Sequence, residues 1–167
     1  AEEACRWNSW QATPALPSIL PALLTQVLDR LAGEEEHGEV LVQRALGYLA
    51  CARHGLAEDE MIAVLGADRK VMRAIIAHSP TERAKSEAEQ IRALPLAVWV
   101  RLYGDITDYL GELELHGATL MRFYHHSFLE AVRRKFLTWV ETERDLHRQL
   151  SLYFKHVLPS SSRSLVE

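Results

Sequence analysis

The sequence predicts a mainly α fold, a helix-turn-helix core carrying a short β-hairpin wing, with one helix before it and two after it. Three observations point there. Short amphipathic segments with tight, glycine-marked turns fill residues 39–77, two alternating runs flank His116-Gly117-Ala118, and apolar residues recur at helical spacing before and after this block.

The opening residues place Trp7 and Trp10 around Pro14 and Pro17 and read as irregular chain. After Pro21, Leu20, Leu24, Val27 and Leu31 follow helical spacing and Gly33 supplies a stop. Glu34 to Gly38 reads as a solvated linker, so residues 1–38 form a leading segment and helix. From Glu39 to His54 the stripe Leu41, Ala45, Tyr48, Leu49 and Ala52 marks a helix ended by Gly55. Glu58 to Leu65 is a second helix, acidic in its first turn and closed by Gly66. Asp68 can cap a third, with Val71, Met72, Ile75 and Ile76 inward.

Within the stretch at about 79–93, Arg83 to Arg92 is polar nearly all round and reads as an exposed helix or, in preference, as an excursion from the core. Leu96, Trp99, Tyr103, Ile106, Leu110 and Leu113 alternate steps of three and four and predict one continuous helix. Leu113–His116 and Thr119–His125 then make the hairpin, which closes a core spanning 39–126. In residues 127–158, Phe128, Val132, Phe136 and Val140 mark one helix. Leu146, Leu150, Tyr153 and Val157 mark the other, capped by Thr142. Residues 159–167 read as a disordered tail.

The densest signal is Phe123 to Glu130. Ser127 followed three residues later by Glu130 is a capping box, which starts a helix at about Phe128 and sets His125 beside its positive end. Backbone N–H groups and the dipole gather anions at such ends, where an imidazole can meet a phosphate.

Composition narrows the function classes. A chain of 167 residues with a net charge of −4 and no strongly basic segment gives weak support to a nucleic-acid binder. No apolar run reaches the length of a membrane span. Cys5 and Cys51 form neither a disulfide framework nor a paired metal motif, which fits a cytoplasmic setting. No H-x-x-x-H spacing occurs, and Glu143 and His147, one helical turn apart, read as a surface pair, so no metal site is expected. Cys51 lies on an apolar helix and Ser127 is accounted for as a cap, so neither needs an activating base to explain it, and no enzyme activity is expected of the chain itself.

Several motifs together resemble one family. Ala45-Leu46-Gly47-Tyr48-Leu49-Ala50, followed by His54-Gly55-Leu56-Ala57-Glu58-Asp59-Glu60-Met61, resembles a first helix and the pattern G-L-[ST]-E-x-E-L. Leu94-Pro95-Leu96-Ala97-Val98-Trp99-Val100-Arg101-Leu102-Tyr103 resembles L-P-x-x-x-W-x-R-L, and Phe123 to Glu130 resembles F-x-H-x-[ST]-F-x-E. Their order is similar to the winged-helix region of STAND-class NTPases with a NACHT-type ATPase module, bacterial or nephrocystin-like members often joined to WD or TPR repeats. Ala57 departs from the pattern by replacing the Ser or Thr cap, and no G-x-x-x-x-G-K-[ST] loop occurs in the chain.

The resemblance implies a regulatory region C-terminal to an ATPase core, with no cofactor of its own and with ADP or ATP and Mg held by the full-length protein. It implies that His125, not His126, contacts the β-phosphate of ADP, because Ser127, Phe128 and Glu130 set the register. Its partners would be the upstream ATPase module and a downstream repeat domain, with oligomerisation of the whole protein. Two other readings stand beside it. Arg69, Lys70 and Arg73 on the third helix are the residues through which a DNA-binding winged helix would touch DNA, and a pure protein-interaction module is the other.

Overall fold

A computed structural model describes residues 20–77, 93–115 and 117–157, the side chains of the last two excepted. Residues 1–19, 78–92, with nearly all of the excursion, His116 and 158–167, with the tail, lie outside them. The described residues form seven helices and one two-stranded antiparallel hairpin: α1 (Leu20–Leu31), α2 (Glu39–Cys51), α3 (Glu58–Ala67), α4 (Arg69–Ala77), α5 (Leu96–Ile106), β1 (Leu110–Leu115), β2 (Ala118–Phe123), α6 (His126–Phe136) and α7 (Val140–Val157). None of these helices is long and apolar enough to cross a membrane.

Helix α2 is the axle. It is buried from Arg44 to Ala50 and packs against α3, α4, α6 and α7. Helix α1 lies on α6 and contributes Leu24, Val27, Leu28 and Leu31 to the same core cluster. The turn after it is not the solvated linker its charges suggest. His37 has a side chain only 2% exposed and bonds Asp105 of α5 at 2.9 Å, which ties the α1–α2 corner to α5.

Helix α2 stops at Cys51, three residues before the stretch predicted by its apolar stripe, because Ala52 turns to extended geometry. The chain then lays Leu56 antiparallel beside Met121 of β2, with Leu56 N–H to the Met121 carbonyl at 3.1 Å and the reverse bond at 2.8 Å. Gly55, at φ +98°, is therefore a point of close backbone approach and not a helix stop. Gly66 differs from expectation in the same way. It sits inside α3, where a Cβ would meet the Leu94 nitrogen at 2.7 Å.

At the start of α3 the Ala57 N–H still donates to the Glu60 carboxylate at 2.8 Å, so half of the capping box survives without a hydroxyl. Asp68 caps α4 as expected, accepting the Lys70 N–H at 2.9 Å.

Helix α5 ends at Ile106, followed by a single 3-10 turn at Thr107–Tyr109, and β1 begins at Leu110. The helical spacing of Leu110 and Leu113 is coincidental, since both residues belong to the ladder that pairs Leu110 with Phe123 and Leu115 with Ala118. Leu96 is exposed, whereas Trp99 and Ile106 are fully buried. The Trp99 indole N–H donates to Glu58 at 2.7 Å and binds α5 to the start of α3. Trp99→Phe removes that bond, which water replaces at exposed Glu58, and leaves a void where the fully buried indole packed. The expected cost is about 1–3 kcal/mol, read from urea denaturation midpoints with unchanged m-values.

Helix α7 starts at Val140 and not after Thr142, because the Thr142 and Glu143 N–H groups reach the Trp139 carbonyl at 3.0 and 3.4 Å. Val140 accordingly belongs to α7 and is exposed. Adjacent on α7, Tyr153 and Phe154 both pack on the core, their rings edge to face at 5.2 Å.

Candidate functional site

β2 leads directly into α6, and the corner between them carries His125. Three contacts hold the corner. The Tyr124 N–H bonds the Tyr109 carbonyl at 3.0 Å, and Met121 is bridged to Leu56. Phe128 is buried with its ring stacked on Tyr109 at 4.5 Å. Burial of Phe128, Ala131, Val132 and Phe136 sets the phase of α6. The helix consequently begins at His126, two residues before the start that the Ser127–Glu130 box implies.

Its N-cap is His125, in extended geometry at φ −113°, with no side-chain capping bond. The expected supporting cap is therefore corrected: Ser127 lies exposed in the first turn, and Glu130 pairs instead with His126 at 3.2 Å. The Phe128 and Leu129 N–H groups are met by the His125 carbonyl at 3.1 and 3.4 Å. His125 itself is exposed, its ring edge against exposed Tyr124 at 4.6 Å between centroids. His126 points elsewhere and lines an open hollow with Leu129, Glu130, Arg133 and Arg134.

The basic residues of α4 are all exposed, but they are not equally free. The Lys70 ammonium is held by Asp145 of α7 at 3.0 Å. Asp145 is itself part of a larger assembly whose centre sequence reasoning missed. Arg44, 2% exposed in the middle of α2, donates to Asp68, to Asp145 at 2.8 Å and to the Tyr48 hydroxyl at 3.1 Å. Tyr48 in turn donates to Asp68 at 2.6 Å.

Desolvation works to raise the Asp145 pKa, but the Arg44 and Lys70 hydrogen bonds outweigh it and hold the carboxyl below its usual range. Burial, followed by the hydrogen bond to Asp68, pushes the Tyr48 hydroxyl well above its ordinary value, so it remains a donor. The available signal was an arginine breaking an apolar helix face, with a tyrosine one turn later and an aspartate required to cap α4.

Cys51 ends α2 half-buried. Burial first, then the Glu143 carboxylate, pushes its thiol up to about 11, so at neutral pH it is a protonated thiol and not a nucleophile.

No family model matches the chain, and no solved structure matches it significantly. Over 165 residues, 99% of its length, it is 31% identical to NACHT domain- and WD repeat-containing protein 1 of Homo sapiens, and covers 10% of that protein. The protein of the same name from Mus musculus is 28% identical over 165 residues, with 10% of it covered. NACHT and WD repeat domain-containing protein 2 of Homo sapiens is 28% identical over 130 residues, 78% of this chain and 7% of that protein. The chain thus spans a tenth or less of the length of the relatives it matches. Along nearly all of its own length it is a homologue of one region of the NACHT- and WD-repeat-containing proteins.

Proposed function

We propose that this chain is the winged-helix switch region of a NACHT-type signalling ATPase, non-catalytic itself, which reads the bound nucleotide through His125. In this reading α2, α3 and α4 are the helix-turn-helix core and β1–β2 the wing. The observation that carries it is the placement of His125. Its imidazole is exposed at the N-cap of an eleven-residue helix, on a corner braced by Tyr109, Met121 and Phe128. An imidazole N–H there can donate to one phosphate oxygen, reinforced by the positive end of α6. The chain has no glycine-rich loop to surround a phosphate, so His125 approaches it from one side and the ATPase module holds the rest. Loss of that contact on exchange of ADP for ATP frees the region to move as a rigid body in the cytoplasm, against the ATPase module on one side and the WD repeats on the other.

The test is the nucleotide that co-purifies with the full-length protein. His125→Ala is expected to lower its ADP content, whereas replacing Arg69, Lys70 and Arg73 together with Ala leaves it unchanged. An ADP content equal to that of the unaltered protein overturns the reading. Binding to DNA is the weaker proposal, since Lys70 is already engaged by Asp145 and the chain is acidic overall.

A further inference from the structure

Beyond the nucleotide switch, we infer that Cys51, Glu143 and His147 form a binding site for a thiophilic divalent cation, Zn2+ by preference, at the seam between α2 and α7. The thiol, carboxylate and imidazole ligand atoms lie within 4.8 Å of one another. Tetrahedral zinc, with bonds of about 2.0–2.3 Å, needs its ligand atoms about 3.5 Å apart. The difference is within reach of side-chain rotation, since His147 is exposed and Glu143 only half-buried. Glu143 and His147 stand four residues apart on α7 and so face the same way. Cys51 arrives from the last position of α2. A sequence search for ligand spacing sees only the pair on one helix; folding supplies the third.

The packing around the seam fixes the ligand backbones. Gly47, one turn before Cys51, lets Leu146 come close enough that a Cβ at residue 47 would lie 2.8 Å from its Cδ1. Arg44, a further turn back, holds Asp145. Among the described residues, none of the three ligand side chains is committed to a hydrogen bond or ion pair, so all three donor atoms are available. A mixed sulfur, nitrogen and oxygen set selects Zn2+ over Mg2+ or Ca2+, which take oxygen. A bound cation displaces the thiol proton and clips α7 to α2. Three protein ligands leave the fourth position of a tetrahedral ion to water.

The experiment is titration of the reduced chain with Zn2+, and with Co2+ as a spectroscopic substitute. The expected result is one equivalent bound and a thiolate-to-cobalt absorption band. That band is lost in Cys51→Ser and kept in Cys5→Ser, and zinc affinity falls at least tenfold in His147→Ala. Because His147 is exposed, its variant is expected to retain the fold, checked by an unchanged metal-free melting curve. The inference is overturned if no band forms, if the band survives in Cys51→Ser, or if His147→Ala binds zinc as tightly as the unaltered chain.

Discussion

Arg44→Ala is expected to destabilise the chain by about 3–5 kcal/mol, the range for removing one member of a buried ion pair and leaving its partners uncompensated. Arg44 is the hub through which α2, the cap of α4 and α7 share one set of hydrogen bonds. Its removal leaves the Asp68 carboxylate, 3% exposed, with only the Tyr48 hydroxyl and the Lys70 N–H and no balancing charge, and leaves Asp145 with Lys70 alone. Asp68→Asn in the same background should recover part of the loss, because it removes the buried charge that Arg44 would have balanced. The effect also depends on pH. The folded-state pKa of Asp145 is depressed, so its stabilisation is present above the unfolded carboxylate range and is lost as pH falls through the lower folded value. Urea denaturation at neutral pH and again at about pH 3 should show the gap between Arg44→Ala and the unaltered chain narrowing in acid. A gap below about 1 kcal/mol at neutral pH contradicts a central role for Arg44.

Gly55→Ala is expected to cost on the order of 3–4 kcal/mol, from two causes that can be separated. A non-glycine residue in the left-handed region costs about 1–2 kcal/mol. The remainder is steric, since a Cβ on Gly55 would overlap the Met121 carbonyl that accepts the Leu56 N–H. Gly117 provides the control. It has φ +80° with nothing within 4 Å of an added Cβ, so Gly117→Ala should show the conformational cost alone. Equal losses at the two positions contradict the close approach between Gly55 and β2.

Gly55 also shows what a sequence can and cannot display. A glycine after an apolar stripe reads as a helix stop, and local spacing contains nothing of the strand that returns more than sixty residues later to press on it. Gly66 was misread for the same reason, its neighbour being the Ala93–Leu94 backbone. Features written within one turn of chain were legible. They include the Asp68 cap, the span of α1 and the hairpin about Gly117.

Where one local pattern competed with another, packing decided. Leu110 and Leu113 continue the helical spacing of α5, but the ladder to β2 claims them. Ser127 and Glu130 have the form of a capping box, but burial of Phe128 starts α6 two residues earlier. The candidate site was therefore legible in part. The strand-to-helix corner and its histidine could be read from residues 123–130, whereas the identity of the N-cap, the Arg44 hub and the Cys51 cluster required residues far apart in sequence to meet.

The central claim, that His125 touches the nucleotide, is tested most directly by the dissociation rate of ADP from the full-length protein. One charge-assisted hydrogen bond is worth about 1.5–3 kcal/mol, so His125→Ala should release ADP at least about tenfold faster. His126→Ala, which alters only the exposed pair with Glu130, should leave the rate within about twofold. Equal ADP release from the unaltered protein and His125→Ala, or faster release from His126→Ala than from His125→Ala, would contradict it.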